Sequence, residues 1–197
     1  MQNNNLQALL KAKVIERSSA NRNFRHHEWF VEYHLEVVEK IAHELCGIYE
    51  RADPAKANIM VWLHDYEKIV DFDNQYNTEL AATKALMQEV GFEPGYIEEI
   101  AEQLNYYNAK DNLQAAPIET QIVSSADAAS HLTGPFITLY WYENPDKTIP
   151  ELQAENLRKL TVDWEKKITL PEVKKAFEFR YQAALEIAGK LPQVYIP

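Results

Sequence analysis

Apolar side chains recur along this chain at steps of three and four, the repeat of a helix with one buried face. The clearest stretch runs from about Glu28 to Arg51, where Phe30, Val37, Val38, Ile41, Ala42 and Leu45 share a side. His34 falls in register with them and so points inward. A shorter helix is predicted over Leu6–Glu16, ending before the polar stretch Ser18–Arg25. Asp53-Pro54 supplies an N-cap and a first-turn proline for a helix from Ala55 to about Lys68. Further helices are predicted over Thr78–Val90, closed by Gly91, from Pro94 to about Asn108, and over Ile118–Leu132. Gly134-Pro135 interrupts the pattern, and Phe136–Tyr142 reads equally as helix or strand. Two last helices span Pro150 to about Lys167 and Pro171–Lys190. The expected fold class is all-α, a single helical bundle of about seven or eight helices.

Composition narrows the function classes. The 197 residues suit one domain with a sizeable core. Thirty acidic against twenty basic residues give a formal charge of −10, which repels nucleic-acid backbones and anionic membranes. A nucleic acid polymer and a membrane are therefore not expected partners. The chain contains no apolar run of the ~18 residues a membrane span needs. Met1-Gln2-Asn3-Asn4-Asn5 lacks the basic and apolar regions of a secretory signal. The lone Cys46 excludes an internal disulfide, reads as a core thiol, and fits a reducing compartment. Cytoplasmic residence is the expectation.

Chemistry enters at the end of the apolar run Ile59-Met60-Val61-Trp62-Leu63, which His64-Asp65 closes. An imidazole and a carboxylate desolvated there each need a partner, and a divalent metal satisfies both. His34 lies thirty positions before His64, and Asp127, beside Ile122, Val123 and Ala126, lies sixty-two after Asp65. Singly, each residue reads as a hydrogen-bonded core histidine or a capping aspartate. Together, His34, His64, Asp65 and Asp127 come from three predicted helices with apolar neighbours.

The order and spacing of these four residues resemble the metal signature of the HD-domain phosphohydrolase superfamily. His34-Leu35-Glu36-Val37-Val38 is similar to the first-ligand helix, and Trp62 to Lys68 to the helix of the His-Asp doublet. Ile122 to Ala128 is similar to the final-Asp helix, and the match runs from about Phe24 to His131. The resemblance implies a metal-binding core over 24–133, preceded by a lead and helix over 1–23. A C-terminal helical extension over 134–197 packs on the same domain and carries no functional motif. Binuclear members place further histidines between doublet and final Asp, but Tyr66–Ala126 has none and offers Asn77 with Asn105 or Asn108 instead. Amides are weak ligands for transition metals, so one divalent ion is expected. Mixed N/O ligation suits Mn, Fe, Co or Ni, with Mg a weaker fit and Zn an option.

What the resemblance implies is a metal-dependent phosphohydrolase that cleaves a phosphoester or phosphoanhydride of a small phosphorylated substrate, nucleotides being the leading class. The metal ligands it implies are His34, His64, Asp65 and Asp127. Asp65 orients the attacking water, Lys68 reaches a phosphate oxygen, and Glu67 serves as acid or base. The plain alternatives are a solvated lysine near a helix C-terminus and a solvent-facing glutamate. Arg22, Arg25, His26 and His27 form a polar helix entry in which Arg25 and His27 are the substrate-binding candidates. His131 reads as second to the metal or structural, and His43 as surface. Tyr106, Tyr107, Tyr140, Trp141 and Tyr142 read as core or as a base-stacking surface. The alternative class is a non-catalytic HD-fold module that binds a metal or ligand. A homodimer stays open.

Overall fold

The computed structural model describes residues 2–73, 79–110 and 112–196. Every regular element among them is helical, as the periodicity predicts. Helix α1 covers Gln2–Ala20, α2 Glu36–Ile48, α3 Pro54–Leu63 and α4 Tyr66–Val70. After α5 (Ala81–Val90) and α6 (Pro94–Ala109) comes α7 (Ile118–Ser130), then α8 (Phe136–Tyr142), α9 (Ile149–Val162) and α10 (Pro171–Ile187). Single π-helical turns, Val31–Leu35 and Asp163–Lys167, lead into α2 and continue α9. No helix among the described residues is long and apolar enough to cross a membrane.

Two helices make the centre. In α3 the run Ile59 to Leu63 is buried all round, so this helix is enclosed by α1, α2 and α7 rather than laid on a surface. In α7 every residue from Thr120 to Ser130 except the half-buried Gln121 is buried. Small residues (Ser124, Ser125, Ala126, Ala128, Ala129, Ser130) let α2 and α3 approach it closely. Asp127 therefore enters the core on a helix with no solvent face of its own.

The departures from the periodic reading have local causes. Helix α1 runs through Ser18 to Ala20, because buried Ser18 continues the inward face of Leu10 and Val14. The helix expected over 55–68 breaks at the doublet: α3 ends at Leu63, and Asp65 takes φ −117°, ψ 15°, a sparsely populated region. Phe136–Tyr142 is a helix. The fourth predicted helix starts at Ala81, and its predicted first residue, Thr78, lies outside the described residues, as does Asn77. Gly91 closes α5 in the left-handed region at φ 101°, and exposed His43 and buried Cys46 sit as expected.

Asp53 caps α3 as anticipated, its Oδ1 accepting from the backbone N–H groups of Ala55 (2.9 Å) and Lys56 (3.2 Å). Asp53→Ala leaves both donors to water and is expected to cost about 1 kcal/mol. In a chain of this length that lowers the thermal midpoint by roughly 2–4 °C, readable by calorimetry. A midpoint unchanged within error would show that Pro54 alone sets the helix start.

Candidate metal centre

Both π turns and the break after α3 deliver side chains to one place. The wider turn Val31–Leu35 carries His34, the interruption after Leu63 carries His64 and Asp65, and α7 carries Asp127, with His131 one turn on. The turn Asp163–Lys167 brings Asp163 and Lys167 from the C-terminal segment. Irregular helical turns of this kind re-aim side chains that a continuous α-helix would hold elsewhere.

The hydrogen bonds fix how each imidazole is oriented. His64 Nδ1 donates to the Val61 carbonyl at 2.7 Å. Ser130 donates its hydroxyl to the Asp127 carbonyl at 2.7 Å, so its Oγ accepts from His34 Nδ1 at 3.0 Å. His131 Nδ1 donates to Asp163 Oδ2 at 2.8 Å. Lys159 lies 3.1 Å from the same nitrogen but reaches both Asp163 oxygens at 2.8 Å, so the carboxylate serves both donors. All three rings thus spend their one N–H outward and turn an Nε2 lone pair inward.

Inward, the lone pairs meet one another and two carboxylates. His34 Nε2 is 3.2 Å from His64 Nε2, and these nitrogens lie 3.5 and 3.7 Å from Asp127 Oδ1. Both are 3.8 Å from Asp65 Oδ2, and His131 Nε2 is 3.4 Å from Asp127 Oδ1. Acceptors packed this closely repel unless a cation lies between them. An ion with bonds of about 2.1 Å holds neighbouring donors about 3.0 Å apart and opposite donors about 4.2 Å apart. The observed 3.2–3.8 Å falls in that window. The groups His34–His64–Asp65 and His34–Asp127–His131 are each spaced to hold a metal ion.

The electrostatics match. Burial drives the His34 imidazole well below its ordinary pKa, so it stays neutral. Burial opposes charge on His64 too, but Asp65 and Asp127 more than offset it and raise that group on balance. Asp127 is held well below the usual carboxylate range, burial notwithstanding, by Lys167 and the neighbouring imidazoles. Its Oδ2 accepts from Lys167 and, at 2.8 Å, from Tyr107. Burial and the Asp127 charge push the Tyr107 phenol well above its ordinary value, which keeps it a donor. Asp65 is lowered likewise, chiefly by Lys68 against the cost of burial, with Lys68 Nζ 2.6 Å from Oδ2.

These groups line a cavity of about 410 Å³. Six acidic and six basic side chains line it, an even balance in a chain of net charge −10. Of the residues singled out from sequence, His34, His64, Asp65 and Asp127 converge, and Lys68, Glu67 and Arg25 line the cavity. Glu67 is also engaged, accepting from the Thr83 backbone N–H at 2.9 Å and so capping α5. His27 does not reach the cavity: its Nδ1 donates to the Phe24 carbonyl at 2.9 Å. The neighbouring His26 lines it instead, 2.7 Å from Glu143, because the turn before the π segment rotates alternate side chains apart. Tyr107, Tyr140 and Asn108 line the cavity, whereas Tyr106 and Tyr142 are exposed.

The sequence reading missed Lys159, Asp163 and Lys167, having given the C-terminal extension a packing role. A signal was present: Leu152, Asn156, Leu160, Asp163 and Lys167 recur at four, four, three and four and are all buried. Charged residues in an apolar stripe must be paired or must hold a ligand. Comparison of the chain with models of known families, with curated proteins and with solved structures finds no match.

Proposed function

We propose that the chain is a metal-dependent phosphohydrolase of the HD-domain kind, acting in the cytoplasm on a phosphoester or phosphoanhydride of a small molecule such as a nucleotide. The observation that carries this reading is the set of inward lone pairs and carboxylates lining a cavity in which basic side chains match the acidic ones in number. Each carboxylate of the centre has its own lysine: Asp65 with Lys68, Asp127 with Lys167, Asp163 with Lys159. With the imidazoles neutral, the donor set is electrically balanced, and a dication leaves the site net positive. That charge complements a phosphate dianion.

One ion is the stoichiometry the donors support. His34 belongs to both donor groups, yet its Nε2 has a single lone pair and its Nδ1 is committed to Ser130. Asp127 Oδ2 is committed to Lys167 and Tyr107, which leaves Oδ1 alone to ligate. Imidazole-rich donors favour Mn, Fe, Co or Ni over Mg, with Zn accommodated. When bound, the ion supplies Lewis acidity and acidifies coordinated water towards neutral pH.

The chain's own residues supply the rest. Asp65, anchored through Oδ2 by Lys68, offers its other oxygen to orient the attacking water. Lys68 lies on the cavity side and donates to a phosphoryl oxygen as negative charge develops there. Arg25 holds the outer part of an anionic substrate in bidentate fashion.

The test is elemental analysis of untagged protein purified without chelator, set beside Asp65→Ala. The expected result is close to one ion per chain, largely lost in the variant, and phosphate release from nucleotides by the loaded wild type. Protein devoid of metal even after soaking with Mn would sink the hydrolase mechanism. Metal retained without turnover on any phosphate ester would make the chain a binding module.

A further inference from the structure

We propose that His131 is a fifth ligand of this centre and that Asp163, from the C-terminal segment, positions it. The inference rests on the metal reading above and extends it to residues beyond the four-residue signature.

His131 follows Asp127 by four residues, one turn along α7, so both side chains leave the helix on the same side. Its ring lies parallel to His34, with centroids 5.2 Å apart and planes within 4°. Phe136 closes over the other side at 4.1 Å between centroids. The ring is thus clamped, and only 6% of the residue is exposed.

A purely structural histidine here would donate an N–H to Asp127 Oδ1, the nearest inward oxygen. A neutral imidazole has one N–H, and Asp163 takes it at Nδ1. What faces Asp127 Oδ1 at 3.4 Å is therefore the Nε2 lone pair. Two acceptors in that position need a cation between them, as His34 and His64 do around the same oxygen. The carboxylate behind the imidazole is the arrangement that fixes tautomer and ring plane in metal-binding histidines. Lys159 holds Asp163 in turn through both oxygens, so the π turn after α9 is part of the centre.

The consequence is chemical. Three imidazoles and two carboxylates leave one open position on a six-coordinate ion, where a four-residue set leaves two. Water and a phosphoryl oxygen then do not both sit on the ion, and Asp65 with Lys68 must position whichever is displaced.

Cobalt(II) titration of the whole chain, followed by visible absorption, tests this. His131→Ala is expected to bind Co²⁺ at least about tenfold more weakly with shifted d–d bands, and added imidazole should restore the wild-type spectrum. Asp163→Asn retains every ligand and is expected to weaken binding by roughly 10–100-fold. Should His131→Ala prove unfolded by circular dichroism, Asp163→Asn carries the test alone. Unchanged affinity and bands in folded variants would overturn the fifth-ligand assignment and leave the four-residue centre standing. Wild type that takes up no Co²⁺ would overturn both.

Discussion

Asp127→Ala is expected to abolish metal binding and to lower the unfolding free energy by about 3–5 kcal/mol in the same protein. The two losses come from the two oxygens of one carboxylate. Oδ1 faces the Nε2 atoms of His34, His64 and His131, so its removal takes away the donor that all three imidazoles share. Oδ2 holds Lys167, a residue only 5% exposed, whose ammonium is raised in pKa because the Asp127 charge outweighs the cost of burial. Without the carboxylate that ammonium keeps the Tyr107 oxygen at 3.2 Å and has no counter-charge within bonding reach among the described residues. Metal content and urea unfolding, measured on one preparation, read the two losses separately. Metal lost at unchanged stability would mean that Lys167 finds water once released, and would remove the argument that this pair is buried.

The helical fold was legible because its signal is local. Apolar residues at steps of three and four, Asp53-Pro54 at a helix start and Gly91 at a helix end each act within a turn or two, and each is where the periodicity puts it. The four inward residues were legible for a related reason: His34 shares the apolar face of Phe30 and Val38, and Asp127 sits among Ile122, Val123 and Ala126. What was not legible depends on contacts between distant segments. Nothing local marks the break of the third helix at His64, since a helix continuing through the doublet suits the same residues. Asp163 and Lys167 lie in a segment read only as packing; their place in a buried stripe was visible, but their pairing with His131 and Asp127 across to α7 was not. The choice between His26 and His27 turned on a rotation of one residue, below what composition around a turn can specify.

Lys167→Met is the sharper probe, because its cost to stability should shrink when metal is bound. In the metal-free protein the substitution strands the Asp127 carboxylate, buried at 2% exposure, with Tyr107 as its remaining donor on Oδ2. Breaking a buried pair from that side costs about 3–5 kcal/mol as well. A bound dication supplies the missing counter-charge, so much of that loss should vanish on loading. By linkage, the variant must then bind the ion more tightly than wild type, on the order of 5–150-fold. The lysine is in this sense a competitor for Asp127, holding the carboxylate when the ion is absent and weakening its claim when the ion is present. Isothermal titration and unfolding of both proteins, each with and without Mn, close the cycle. Combining Lys167→Met with Asp127→Ala should recover most of the stability that either change removes alone, since neither charge is then left unpaired. Metal affinity equal to that of wild type would place Lys167 outside the electrostatics of the centre. Additive losses in the double variant would show that the two residues act on stability through separate contacts.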